Sequence, residues 1–228
     1  MNSQFGNPTS SKIKKYLAEE ITDKNEGIML YDRLMEGLSG DSLRFNKDGY
    51  NVQGWMDDYY VSGKLMHRGY YRDGRVVAFK NYYENGICER NVTETDPIHC
   101  TIDKFCENGR HRKQISYANG LIKKQIDYYE NGVQKVASEY DEEGKLLVNK
   151  KTWDDAGNIE YELVLVDTKR KKYTEKFYYP NGQVREEGQL IFSVENNKYT
   201  KNGTWHSYDS DGKNKRTARH NSLNLTSN

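Results

Sequence analysis

Residues 82–86 read Tyr82-Tyr83-Glu84-Asn85-Gly86, or YYENG, and residues 128–132 read YYENG again. A close variant, YYPNG, spans Tyr178 to Gly182. A pentapeptide used this often is either a site present in several copies or the turn of a repeated fold. Its chemistry favours the turn. Asn and Gly both accept a positive φ, so Asn-Gly closes a hairpin without steric cost, and the tyrosines before it are strand residues.

The glycines around these copies extend the pattern. Gly63, Gly86, Gly109 and Gly132 follow one another at 23 residues, and Gly157 and Gly182 continue at 25. Shorter steps through Gly74, Gly120 and Gly144 divide that period into halves of 11 to 13 residues. Twelve turn glycines run from Gly49 to Gly212; four residues before each stands an aromatic side chain in every case except Ser116. Two residues after most of them comes an apolar residue such as Leu65, Val76, Ile122, Leu146, Ile159 or Val184. The segments between turns have strand length and are rich in Tyr, Val, Ile and Thr. A fixed aromatic before the turn and an apolar residue after it hold the register from hairpin to hairpin. The expected fold is therefore all-β: an elongated antiparallel hairpin array, a single twisted meander sheet, over residues 45–213.

Composition agrees with a thin core. Fewer than a fifth of the 228 residues are Leu, Ile, Val or Phe, while 19 are Tyr. Tyrosine buries its ring and keeps its hydroxyl wet. The net charge of +1 excludes a global field that would draw the chain onto nucleic acid or an acidic membrane. No apolar run approaches the roughly 20 residues of a membrane helix, and the start MNSQFGNPTSSKIKKYL has no apolar signal core. Three cysteines without framework spacing suit a reducing compartment. The expected location is cytoplasmic, or the virion if the chain belongs to a particle.

The stretches DYYENGVQKVASEYDEEGKLLVNKKTW, KFYYPNGQVREEGQL and NGTWHSYDSDGK resemble the MORN-repeat variant family, bacterial proteins often described as antitoxin-like. The resemblance covers about Phe45 to Lys213. It implies an all-β repeat scaffold, with toxin-neutralising partners for some members. Two stretches depart from the repeat: TETDPIHC, within Val92 to Asp103, lacks a glycine turn, and Val166 to Thr174 inserts the charged VDTKRKKYT. Either is a candidate extension carrying specificity.

Outside the array, Ile13, Tyr16, Leu17 and Ile21 share one helical face over residues 11–22, and Ile28, Tyr31, Leu34, Met35 and Leu38 form a second stripe. Residues 1–44 are thus expected to be a helical cap over the first sheet edge, or a docking segment. Residues 214–228 are polar and aperiodic, expected as a tail or as a strand that orders on binding.

The candidates for chemistry are few. His99, Cys100, Cys106 and His111 are zinc-ligand types, but the two cysteines are six apart rather than at zinc spacing. The pairs Asp57-Asp58, Glu142-Glu143 and Asp154-Asp155 abut turns, where neighbouring carboxylates point apart. No phosphate loop, nucleophile elbow or zincin motif is present. No catalytic, cofactor or metal residue is assigned, and the expected activity is non-enzymatic binding of a protein partner. In each Tyr-Tyr pair strand alternation sends one ring inward and one outward. Tyr60, Tyr83, Tyr129 and Tyr179 form the expected outward, partner-binding row. The partner is a toxin or effector to be neutralised, or a neighbour in a larger assembly such as a phage particle. The alternative is nucleic-acid or acidic-lipid binding through Arg110, Arg112 and Lys113, Lys123 and Lys124, Lys169 to Lys172, and Lys213, Lys215 and Arg216, interleaved with tyrosines.

Overall fold

The computed structural model describes Leu17, Thr22–Asp23, Gly27–Ile28 and residues 43–96, 98–213 and 215–220. The described residues contain strands and turns and no helix. The two expected helices lie outside the described residues, apart from a short ladder where one was to end and the other begin. There β1 (Thr22–Asp23) pairs antiparallel with β2 (Gly27–Ile28).

The rest divides into two units, each an antiparallel meander with its strands in chain order. The first, residues 1–121, carries β3 (Gly54–Tyr59), β4 (Leu65–Arg72), β5 (Arg75–Tyr82), β6 (Cys88–Asp96), β7 (His99–Phe105) and β8 (His111–Ala118). The second starts at β9 (Leu121–Tyr128) and continues with β10 (Gln134–Tyr140), β11 (Leu147–Trp153), β12 (Ile159–Asp167), β13 (Lys172–Tyr178), β14 (Val184–Ser193), β15 (Lys198–Tyr208) and β16 (Lys215–His220).

Two kinds of turn recur between the strands. In YYENG the Tyr83 N–H donates to the Ile87 carbonyl and the Gly86 N–H to the Tyr83 carbonyl, both at 2.8 Å. The same two bonds recur at Tyr60/Lys64, Cys106/Arg110, Tyr129/Val133, Asp154/Asn158 and Tyr179/Gln183. This is a type I turn closed by a left-handed residue, here Gly86 at φ 88°. Asn85 keeps a negative φ, and its Oδ1 accepts the Ile87 N–H at 2.9 Å. The other kind is the two-residue turn at Asp73-Gly74 and Asn119-Gly120, where both residues have positive φ. Asn-Gly thus serves two geometries.

Both departures from the repeat join antiparallel neighbours, each with a register shift beside the connection. Asp96 pairs with His99 across the TETDPIHC turn. In VDTKRKKYT, Lys171 takes the positive φ of 50° and Asp167 Oδ1 accepts the Arg170 N–H at 2.9 Å.

Alternation along the strands fills one face of each unit. In the first, Phe79, Val92, Ile102 and Ile115 lie opposite one another on four successive strands and are all buried. A row of Asp58, His67, Asn81 and Arg90 runs beside them, also buried. Asp58, His67 and Asn81 of this row are chained together through Arg44 and Tyr71. Arg44 clamps Asp58 with two bonds of 2.8 and 2.6 Å and donates to the Tyr71 hydroxyl; His67 Nε2 lies 3.1 Å from that hydroxyl and Nδ1 2.9 Å from Asn81 Oδ1.

In the second unit the core is Leu163, Tyr173, Leu190 and Trp205, with Tyr161, Leu165, Phe177, Phe192 and Tyr199 packed against it. Gly188 allows the closest approach: a Cβ there would stand 2.2 Å from Trp205 Cδ2. Across the strands run Lys151, Glu162, Lys176, Glu187 and His206, each opposite the next, with alternating charge up to the histidine. Lys151–Glu162 and Lys176–Glu187 are ion pairs of 2.9 and 3.6 Å.

The strand pattern runs past residue 213. Lys215–His220, read from the sequence as part of a tail, is β16 and pairs with β15 from Tyr208↔Lys215 to Gly203↔His220. Its side chains are mostly exposed. A strand held mainly by backbone bonds leaves no apolar alternation to read.

Candidate functional site

The sequence points to Tyr60, Tyr83, Tyr129 and Tyr179 as an outward row, and the structure corrects that orientation. Tyr60 is only 2% exposed and the other three are half-buried. Each stands one residue beyond the end of its strand, at the first position of the turn, where strand alternation no longer applies. Each ring reaches along the turns instead. The hydroxyl donates to the carbonyl of the aromatic residue before the next turn of the same kind. Tyr60 reaches Tyr82 at 2.7 Å, Tyr83 reaches Phe105 at 2.8 Å, Tyr129 reaches Trp153 at 2.9 Å and Tyr179 reaches Tyr208 at 2.9 Å. Burial pushes the Tyr60 and Tyr83 phenols up to about 12, which keeps them as neutral donors. Asparagine adds a second rung: Asn85, Asn131 and Asn181 donate from Nδ2 to the carbonyls of Glu107, Asp155 and Ser210.

The other sequence candidates do not converge. Cys100 and Cys106 sit at opposite ends of β7, separated by about 20 Å at strand rise. Cys100 is buried, and burial pushes its thiol up to about 11. His111 packs on Phe105, ring centroids 4.6 Å apart. Asp57 and Asp58 face opposite ways, one to Arg68 and the other to Arg44. Among the described residues no three His, Cys, Asp or Glu side chains gather as a metal would need. Much of the basic charge is paired locally: Lys124 with Glu139, Lys201 with Glu186, Lys213 with Asp211. Lys123 donates to the carbonyls of Asp141 and Glu142.

What sequence reading missed is β3. Its alternation turns Met56 and Asp58 toward the core and leaves Trp55, Asp57 and Tyr59 on the opposite face. Trp55 is 64% exposed and lies edge-on to Tyr70, centroids 5.4 Å apart. Beside that pair, Arg68 binds Asp57 through Nε at 2.8 Å and a terminal nitrogen at 2.6 Å. This bond holds the Asp57 carboxyl below its usual range. Tyr59 lies beyond the ion pair, and a shallow recess of about 520 Å³ opens among Trp55, Met56, Asp57 and Arg68. Among the described residues β3 is the last strand in its sheet order, bonded only to β4. An exposed Trp–Tyr pair around a fixed guanidinium has the composition of an interface centre. The available signal was Trp55 itself, in phase with Asp57 and Tyr59.

The fold and this surface define an antiparallel β-repeat protein with an aromatic patch near one sheet edge. The MORN repeat variant family matches residues 174–191, the hairpin of β13 and β14, and supports the MORN-repeat character of the chain. No curated protein matches the chain. Among solved structures, TarM is similar at 14% identity and a TM-score of 0.29, over 39% of this chain and 18% of its own. An S. aureus TarM variant in complex with fondaparinux, alpha-GlcNAc-glycerol and UDP is similar at 12% identity and 0.29, over 55% and 19%. A Bacteroides fragilis protein of unknown function is similar at 9% identity and 0.16, over 65% and 88%. The chain spans under a fifth of TarM.

Proposed function

We propose that this chain is a non-enzymatic protein-interaction scaffold built from MORN-like β repeats, with its contact centre at Trp55, Tyr70, Arg68 and Tyr59. The observation that carries the reading is Trp55, exposed beside Tyr70 on a strand whose other face is packed. Trp55 and Tyr70 are cross-strand partners and support the β3–β4 ladder, yet Trp55 stays 64% exposed, and Trp, Tyr and Arg dominate binding energy at interfaces. Among the described residues β3 ends its sheet, and its outer edge adds backbone groups to which an extended partner segment can pair. Tyr83, Tyr129 and Tyr179, with hydroxyls engaged and rings half-buried, are secondary contacts.

The partner is a toxin or effector held inactive, in the cytoplasm, or a structural neighbour in a larger assembly such as a phage particle. Nucleic acid or acidic lipid is the weaker reading, because lysines of the strand faces are opposite carboxylates. The test is cross-linking of the full chain in its native source, comparing wild type with Trp55→Ala and with Lys145→Ala as a surface control. Trp55→Ala is expected to retain the strand spectrum and lose a specific partner at least 10-fold, in line with about 2 kcal/mol for a hot-spot aromatic. Unchanged capture by Trp55→Ala would place the contact elsewhere.

A further inference from the structure

The ladder of turn clamps is interrupted once inside the second unit. The turn at Tyr129–Val133 holds the next one of its kind with three side chains. The Tyr129 hydroxyl bonds to Trp153, Asn131 bonds to Asp155, and Val133 lies 3.7 Å from the Cβ position of Gly157. The turn at Asp154–Asn158 carries Asp154 in place of the tyrosine, Ala156 in place of the asparagine and Asn158 in place of the valine. Asp154 uses its carboxylate within its own loop. Oδ1 accepts the N–H groups of Ala156 and Asn158 at 3.0 and 2.7 Å, and Oδ2 accepts Asn158 Nδ2 at 2.9 Å. At the facing turn, the Cβ position of Gly182 has no heavy atom within 4 Å.

A cleft of about 570 Å³ lies between these two turns. Its walls include Tyr161, Phe177, Tyr178 and Pro180, with Lys150 and Arg185 also lining it. The Arg185 guanidinium sits over the Phe177 ring at 5.5 Å.

We propose that this cleft receives a tyrosine side chain presented by a partner protein. The molecule itself shows what fits between two such turns. Four times it places a phenol there, with the hydroxyl on the carbonyl of the aromatic residue four before the next turn glycine. In the interrupted rung that residue is Tyr178, and Asp154 has no hydroxyl to give it. The aromatic walls reward an edge-on or offset ring, and a tyrosine loses only two side-chain rotations on binding. This inference deepens the scaffold reading by naming a group the partner contributes, and it rests on that reading for the bearer of the tyrosine.

The test is an NMR titration of the isotope-labelled full chain with blocked Gly-Tyr-Gly peptide, and with its Phe and Ala counterparts. The Tyr peptide is expected to give saturable shifts at Tyr161, Phe177, Tyr178 and Arg185. The Phe peptide is expected to bind about five-fold more weakly for want of the hydroxyl, and the Ala peptide not at all. The double variant Asp154→Tyr, Ala156→Asn fills the rung from within, and Ile159→Trp blocks the cleft without touching the Asp154 loop bonds; both are expected to abolish the shifts. No saturable shift with the Tyr peptide, equal binding of the Ala peptide, or full binding to Ile159→Trp would overturn the proposal. Tighter binding of free tyrosine than of the blocked peptide would also overturn it, since the cleft would then be a small-molecule site. Failure here leaves partner capture through Trp55 intact, and loss of the Trp55 result leaves the peptide titration intact.

Discussion

His67 has no accessible surface, and its environment fixes its protonation. Burial pushes the imidazole down to about 4, against a weaker upward pull from its bond to Asn81. The neutral ring then donates from Nδ1 to Asn81 Oδ1 and accepts the Tyr71 hydroxyl at Nε2, while Arg44 supplies Tyr71 with a donor. The folded state holds fewer protons than the unfolded chain between pH 6.5 and 4. Stability is therefore full above that window and falls as pH drops through it, by on the order of 3 kcal/mol from this group. His67→Gln keeps amide hydrogen bonding and does not titrate. Its urea midpoint is expected to fall less than that of the wild type between pH 6.5 and 4.5. Equal slopes would show that His67 is protonated as easily folded as unfolded.

At the scale of the turn, YYENG is a clamp as well as a bend. The glycine closes the bend, the asparagine oxygen caps it, and the second tyrosine and the asparagine amide tie it to the next turn of its kind. Tyr83→Phe removes one hydroxyl-to-carbonyl bond and leaves the ring, so chemical denaturation is expected to show a loss of about 1 kcal/mol. Gly182→Val tests the bend separately. The space around its Cβ is open, so the cost is that of a β-branched residue at φ 82°, roughly 1–3 kcal/mol. A wild-type midpoint for Gly182→Val would contradict the left-handed conformation there. These two variants separate the local role of the pentapeptide from its role between turns.

At the scale of the molecule, charges of both signs are woven through the strands and the net charge is only +1. Opposite charges directly across a strand pair stabilise the pairing and cancel the field seen from outside. Binding to generic single-stranded DNA or RNA is therefore expected to be weak at physiological salt. A salt titration checks this: tight binding with a steep dependence on salt, lost on charge reversal at Lys169 to Lys172, would favour a nucleic-acid surface over a protein partner. The circular dichroism spectrum should be mainly that of strands, since the described residues of both units form meanders.

The sequence by itself determined the period, the turns and the strands, because these depend on local chemistry. The turn needs a left-handed residue and Gly86 accepts that backbone whatever surrounds it, while the aromatic residue four before it needs only a pleated neighbour. Even Asp73-Gly74 and Asn119-Gly120 could be placed as turns, though their two-residue geometry was not distinguished from that of YYENG. Tertiary structure decided which rings face solvent. Tyr60 is buried and Tyr83, Tyr129 and Tyr179 are half-buried with their hydroxyls on the next turn, because alternation stops at the strand end and what lies one residue beyond depends on the neighbouring turn. Trp55 was passed over because no repeat marks it; its exposure follows from Asp58 and Met56 taking the core side. The Arg44–Asp58 clamp and the His67 chain join residues 14 or more apart in the sequence, apart from the His67–Tyr71 bond. The interrupted rung belongs to the same class. Asp154, Ala156 and Asn158 read as one more turn, and only the distance to the next turn shows the cleft that their side chains leave.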